Sequence, residues 1–157
     1  MNSYCNQVKE SLYQYQLKYF KVQEFVDRAT YNKFGDGAIL CIDWRMLWTM
    51  DAIREYFGKP ITINNWCFGK EREWSGIRYS GTQYYSQYSQ HSFGRAIDFL
   101  VNGINASEVR KTILKNPDEQ SFKYITTLED FQGMSWIHID CRVLRQNQGR
   151  FLIVQPS

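Results

Sequence analysis

Ser89-Gln90-His91-Ser92-Phe93-Gly94-Arg95-Ala96-Ile97-Asp98 decides the reading of this chain, together with Trp136-Ile137-His138-Ile139-Asp140. The first stretch reads S-x-H-x-x-G-x-A-x-D and the second W-x-H-x-D, and the chain's only 2 histidines both fall inside them. Two imidazoles and one carboxylate make a donor set that zinc accepts, with a fourth position left for water. In a strand, residues two apart share a face, so Ala96 and Asp98 point together, as do Trp136, His138 and Asp140. Pairing the two strands would gather His91, Asp98 and His138 around one cation, with Asp140 close by. Gly94 allows the backbone to turn closely, and Ala96 leaves room beside the metal. Three protein ligands and an open position mark a catalytic rather than a structural zinc.

Working outward, the clearest helix starts at the N-cap Asp43 and runs to about Phe57. Leu47, Met50, Ile53 and Phe57 form its apolar face, and Gly58 with Pro60 ends it. Ile61-Thr62-Ile63-Asn64 reads as a short strand, and residues 65–90 as a long loop rich in Tyr, Ser, Gly and Gln. A loop of that length in a small domain is usually functional or mobile. Arg95 to Val101 alternates as a strand. Asn105 caps a helix to about Leu114, with Glu108 placed to complete a capping box. Asn105-Ala106-Ser107 also matches a glycosylation acceptor, and the cap is the preferred reading. Strands at about Tyr124–Leu128 and Trp136–Cys141 form a hairpin with an enlarged loop, and a last strand lies near Phe151–Val154. The order predicts an α+β fold, a small, mainly antiparallel sheet with helices packed on one side.

The first 34 residues are aromatic and polar. Val8, Leu12, Tyr15, Tyr19, Val22 and Val26 recur at spacings of four and three, which predicts a helical stripe packed on the rest of the chain. Trp44, Trp48, Trp66 and Phe57 are expected in the core. Tyr79, Tyr84, Tyr85 and Tyr88 either line a cleft or pack the long loop against the domain.

The chain has 157 residues, 43% of them apolar and 17% aromatic, which fits one globular domain without disulfide staples. A formal charge of +3 favours an acidic polymer such as a bacterial wall and is too small to argue for nucleic acid. Cys5, Cys41, Cys67 and Cys141 contain no C-x-x-C pair and read as reduced thiols. Cys141, three residues from His138, falls on the opposite strand face and is not expected to bind metal. Met1-Asn2-Ser3-Tyr4-Cys5 lacks the apolar stretch of a signal peptide, and no run approaches the roughly 20 apolar residues of a membrane span. Something else must then bring the protein to any target outside the cytoplasm.

The phrase S-x-H-x-x-G-x-A-x-D followed by W-x-H resembles the zinc D-Ala-D-Ala carboxypeptidase family. That family belongs to the LAS metallopeptidases, whose relatives include phage L-alanyl-D-glutamate endolysins, vancomycin-resistance dipeptidases and the Hedgehog domain. Residues 43–142 carry the likeness to the small, phage-type branch, including Gly58-Lys59-Pro60-Ile61-Thr62-Ile63-Asn64 and Ser75-Gly76-Ile77-Arg78. The resemblance implies a Hedgehog/DD-peptidase-like fold, with a zinc peptidase-like domain over residues 35–157 and an N-terminal arm over residues 1–34. It implies Zn2+ held by His91, Asp98 and His138, and Arg78 facing the substrate to hold a carboxylate or stabilise an oxyanion. Many relatives place the S-G-x-R phrase directly after the strand, and about ten extra residues intervene here. Zinc would lower the pKa of a bound water to about 7 and polarise the scissile carbonyl.

The general base departs from the better-known relatives, which carry an acidic residue three positions before the last histidine. Here that position is Ser135, and Trp136 follows it. Glu129, Asp130 and Asp140 are the remaining carboxylates. Glu129 is favoured, and Asp140 either serves as base or orients a metal-bound histidine. The implied activity is hydrolysis of a peptide bond in the stem peptide of bacterial peptidoglycan, by a carboxypeptidase or an endolysin-type endopeptidase of phage or prophage origin. It would stay cytoplasmic until lysis, or travel with a virion. Two other readings stand: a zinc-stabilised binding or virion-structural module without turnover, and an intracellular D-Ala-D-Ala dipeptidase.

Overall fold

The computed structural model describes residues 15–144 and 149–155. Three α-helices and five strands make an α+β fold: α1 Arg28–Phe34, α2 Trp44–Phe57, β1 Ile61–Thr62, β2 Ala96–Val101, α3 Ala106–Lys115, β3 Thr127–Glu129, β4 Ile137–Asp140 and β5 Leu152–Val154. The strands form one sheet in the order β1-β2-β4-β3-β5. Every pair is antiparallel except β3–β5, which runs parallel with Thr127 beside Leu152.

Register gives the sheet two unlike faces. Ile97 pairs with Ile139, Phe99 with Ile137, and Leu128 with Ile139, so these side chains share one face. All five are fully buried, together with Met46, Met50 and Ile53 of α2 and Val109 and Ile113 of α3. Each such side chain contributes roughly 1.5–3 kcal/mol by leaving water. Cys141 joins this core, away from the metal donors as its spacing from His138 requires. The opposite face carries Ala96 against Asp140, Asp98 against His138, and Thr127 against Asp140. One face therefore holds the helices, and the other is free to build a site.

Local signals account for the helix ends. Asp43 accepts a hydrogen bond from Arg45 N at the start of α2, and Gly58 closes it in the left-handed conformation at φ 59°. Asn105 caps α3 as expected, but its side chain accepts from Ser107 N at 3.4 Å. Among the described residues Glu108 returns no side-chain bond, so the capping box does not form.

The N-terminal stripe is corrected where it can be seen. Val8 and Leu12 lie outside the described residues, and residues 15–26 contain only a short 3-10 turn at Val22–Glu24. The cause is Asp51 of α2. Its carboxylate accepts from Lys18 N at 2.7 Å, Tyr19 N at 3.0 Å and the Tyr15 hydroxyl at 2.6 Å. Amides captured this way are unavailable to a helical ladder. The stripe packs in part without being a helix: Val26 lies in the core, Tyr15 and Val22 pack against it, and Tyr19 is exposed, while Phe20 and Phe25 enter the core from outside the stripe.

The aromatic expectations divide. Phe57 packs on the core, Trp48 and Trp66 are half-buried, and Trp66 donates from Nε1 to Val26 O at 2.8 Å. Trp44 is exposed and packs edge-on against Tyr124. Cys41, Cys67 and Cys141 are free thiols.

Candidate metal centre

His91 sits in a 3-10 turn, Gln90–Phe93, capped by Ser89 and closed by Gly94 at φ 64°. A Cβ on Gly94 would lie 2.0 Å from Cys41 O, so the close turn admits glycine alone. Gly94 O in turn accepts from Asp43 N at 2.9 Å, tying the phrase to the start of α2.

The S-G-x-R phrase is stitched across this turn and the start of β2. Ser75 O accepts from Asp98 N at 2.7 Å, and Arg78 N donates to His91 O at 3.2 Å. Gly76 O stands 2.7 Å from His91 Nδ1. A carbonyl can only accept, so Nδ1 carries the proton and Nε2 presents its lone pair inward. The extra residues between β1 and Ser75 thus leave Arg78 beside the metal donors.

His91 Nε2, His138 Nδ1 and Asp98 Oδ1 converge on one point. Their separations are 3.2 Å between the imidazole nitrogens, 2.8 Å from His138 to Asp98, and 3.3 Å from His91 to Asp98. Ligands at about 2.0–2.1 Å from a tetrahedral ion stand about 3.3 Å apart, so these donors fit zinc with little movement. All three side chains are buried, and they form a group able to hold a metal ion. A buried knot of three polar groups with no apolar purpose is costly unless something binds it.

Electrostatics agree. Burial alone would raise the Asp98 carboxyl, but the two histidines hold it well below the ordinary range. Burial also opposes charge on His138, yet the neighbouring carboxylates of Asp140 and Asp98 lift it to about 9.

The remaining carboxylates take distinct places. Asp140 is fully buried behind His138, with Oδ2 3.6 Å from Nε2. Arg142 donates to it from its backbone amide at 3.0 Å and from Nε at 2.9 Å. Against the cost of burial, the nearby His138 ring and the hydrogen bonds from Arg142 hold Asp140 down at about 2. Asp130 turns to the other side and pairs with Arg110 Nε at 2.9 Å. Glu129 is half-buried and lines the metal cleft. The β3–β4 register, Thr127 to Asp140 and Leu128 to Ile139, continues to set Glu129 opposite His138. Opposite Cβ atoms are about 4.5–5.5 Å apart, and the charge of Glu129 reaches His138.

Arg78 is part-buried and largely engaged. Its Nη2 donates to Asp98 Oδ2 at 2.5 Å and its Nε to Trp74 O at 2.7 Å. It fixes the carboxylate oxygen that faces away from the histidines, which orients the other oxygen toward the metal position. The cleft around these groups has a volume of about 910 Å³. Tyr84 and Tyr88 line it, while Tyr79 packs on the core, so the loop tyrosines divide between the two expected roles.

Sequence reading missed several parts of this site. Gly76 O is a backbone group, which no side-chain pattern reveals. Arg142 was signalled only by its place two residues beyond Asp140, on the same face. Arg72, which also lines the cleft, belongs to no motif.

The chain matches the family model of Peptidase M15 over residues 18–140. It belongs to that family, whose members are metal-dependent peptidases, and the His-Asp-His group lies within the matched region. No curated protein and no solved structure matched the chain.

Proposed function

We propose that the protein is a zinc peptidase that hydrolyses a peptide bond in the stem peptide of bacterial peptidoglycan. The observation that carries the reading is a single cross-strand row on the open face of the sheet: Asp98 opposite His138, and Glu129 opposite it on the other side. A metal position and a carboxylate with no hydrogen-bond partner among the described residues thereby share one cleft.

His91, Asp98 and His138 would hold the ion, which when bound supplies a lowered water pKa and a polarised carbonyl. Glu129 takes the proton from the attacking water and returns it to the leaving amine. Arg78 keeps Asp98 oriented and leaves Nη1 for the oxygen that gains charge as the carbonyl is attacked. Asp140 serves His138 as an orienting acceptor. Among the described residues no helix is long and apolar enough to cross a membrane. Release by lysis or carriage in a virion belongs to the same proposal and rests on the family resemblance.

Incubation of the zinc-loaded protein with purified peptidoglycan and defined stem peptides tests it, with products read by mass spectrometry. Hydrolysis abolished by chelation and by His138→Ala is expected. Stoichiometric zinc binding without any product would favour a binding module, and cleavage of free D-Ala-D-Ala alone would favour a dipeptidase.

A further inference from the structure

Three arginines line the metal cleft, and they differ in what they hold. Arg78 is bound to Asp98 and Trp74 O, and Arg142 to Asp140. Arg72 alone keeps both terminal nitrogens open: among the described residues no carboxylate lies within 4.0 Å of its guanidinium and no acceptor meets its Nη1 or Nη2.

This side chain is nonetheless firmly placed. Arg72 N donates to Asn65 Oδ1 at 2.9 Å, and Arg72 O accepts from Asn65 N at 2.8 Å. Its Nε donates to Ile63 O at 2.8 Å, just beyond β1. Backbone and stem are thus fixed from Ile63 and Asn65, while the fork end stays open. The residue is half-buried, and burial works against its charge. Asp98 relieves that and Arg78 adds to it, with the balance below the usual arginine value.

A half-buried guanidinium with no counterion is unfavourable, and a planar carboxylate is the group that satisfies its two parallel donors. Of the acidic side chains that line the cleft, Glu73 accepts from Arg28 N at 2.7 Å, Asp98 is taken by Arg78 and the histidines, and neither Glu71 nor Glu129 forms an ion pair with Arg72. The open fork faces the cleft, where a carboxylate of the ligand can reach it.

We propose that Arg72 is the specificity residue of the cleft, binding a carboxylate of the substrate peptide through its open guanidinium fork. The proposal rests on the peptidase reading and adds to it a requirement for substrate charge. Arg72 anchors, and Arg78 orients the metal ligand.

The test uses the zinc-loaded protein and a set of stem peptides in which the terminal or one side-chain carboxylate is replaced by its amide. Hydrolysis is measured for wild type, Arg72→Ala and Arg72→Lys, with folding checked by circular dichroism. One amide should raise KM for wild type by about 10- to 100-fold with kcat little changed. Arg72→Ala should show that same rise on the free acid and no further loss on the amide, and Arg72→Lys should recover part of it. Calorimetric titration of the metal-free protein, which cannot turn over, should show the same ranking in binding.

Equal effects of Arg72→Ala on free acid and amide, or none on either, would overturn the assignment while leaving the peptidase reading intact. Absence of both hydrolysis and peptide binding in the wild type would overturn both. Peptide binding with the amide ranking but without hydrolysis would support Arg72 and sink the peptidase reading alone.

Discussion

Glu129 stands opposite His138 across the β3–β4 ladder, on the side away from Asp98. The acidic residue that relatives carry three positions before this histidine is replaced here by Ser135, which is exposed. The sheet offers a substitute from the neighbouring strand. Glu129→Gln keeps the size and removes the proton acceptor, so kcat should fall by about 10²–10⁴-fold. Zinc content should stay at one per chain, because Glu129 is outside the donor group. A variant that keeps nearly full kcat would transfer the base role elsewhere.

Asp140 gives the complementary case. It is fully buried against Arg142 and faces the nitrogen of His138 that points away from the metal donors. Carboxylates in that place fix the ring and raise its basicity as a ligand. Asp140→Asn should weaken zinc binding by about 10- to 100-fold in chelator competition. At saturating zinc, kcat should return close to wild type. A deep loss of kcat that excess zinc does not restore would make Asp140 a participant in the proton transfer.

The division between what the sequence disclosed and what it hid follows physical lines. Strand periodicity and two motif phrases disclosed β2, β4 and their shared polar face, because alternation is a property of the strand itself. The capped helices α2 and α3 were legible for the same reason: Asp43, Gly58 and Asn105 act within a few residues. The stripe from Tyr15 to Val26 misled, because Asp51 takes the amides of Lys18 and Tyr19 from more than 30 positions away. The parallel β3–β5 pairing was equally hidden, since nothing local in Leu152–Val154 names its neighbour. In the site, the donors were legible as residue types. The Gly76 carbonyl and the open fork of Arg72 were not, because their roles depend on position alone.

Gly76 joins packing to metal binding. Its carbonyl accepts from His91 Nδ1, and a Cβ there would lie 1.9 Å from Phe25 O and 2.6 Å from the Phe25 carbonyl carbon. Backbone atoms cannot step aside as a flexible side chain would, and Ile77 N is already bonded to that same oxygen. Gly76→Ala should therefore cost at least about 3 kcal/mol of stability, read by denaturant unfolding. Gly37 has open space around it and an ordinary φ, so Gly37→Ala should stay within about 0.5 kcal/mol. Equal effects at the two positions would mean that the Phe25 contact does not constrain the fold.

Metal removal should register in stability as well as in turnover. The three donors come from the 3-10 turn at Gln90–Phe93, β2 and β4, so a bound ion ties together elements distant in the chain. An ion that binds only the folded state stabilises it by mass action, about 2.7 kcal/mol at a free concentration a hundredfold above Kd. For a chain of this size that is a rise of about 5–11 °C in Tm. His91→Ala removes one donor and should abolish most of the zinc-dependent shift while leaving the metal-free Tm within a few degrees of wild type. Scanning calorimetry with and without chelator reads both quantities. A zinc-dependent shift that survives in His91→Ala would place the ion somewhere other than between these three side chains.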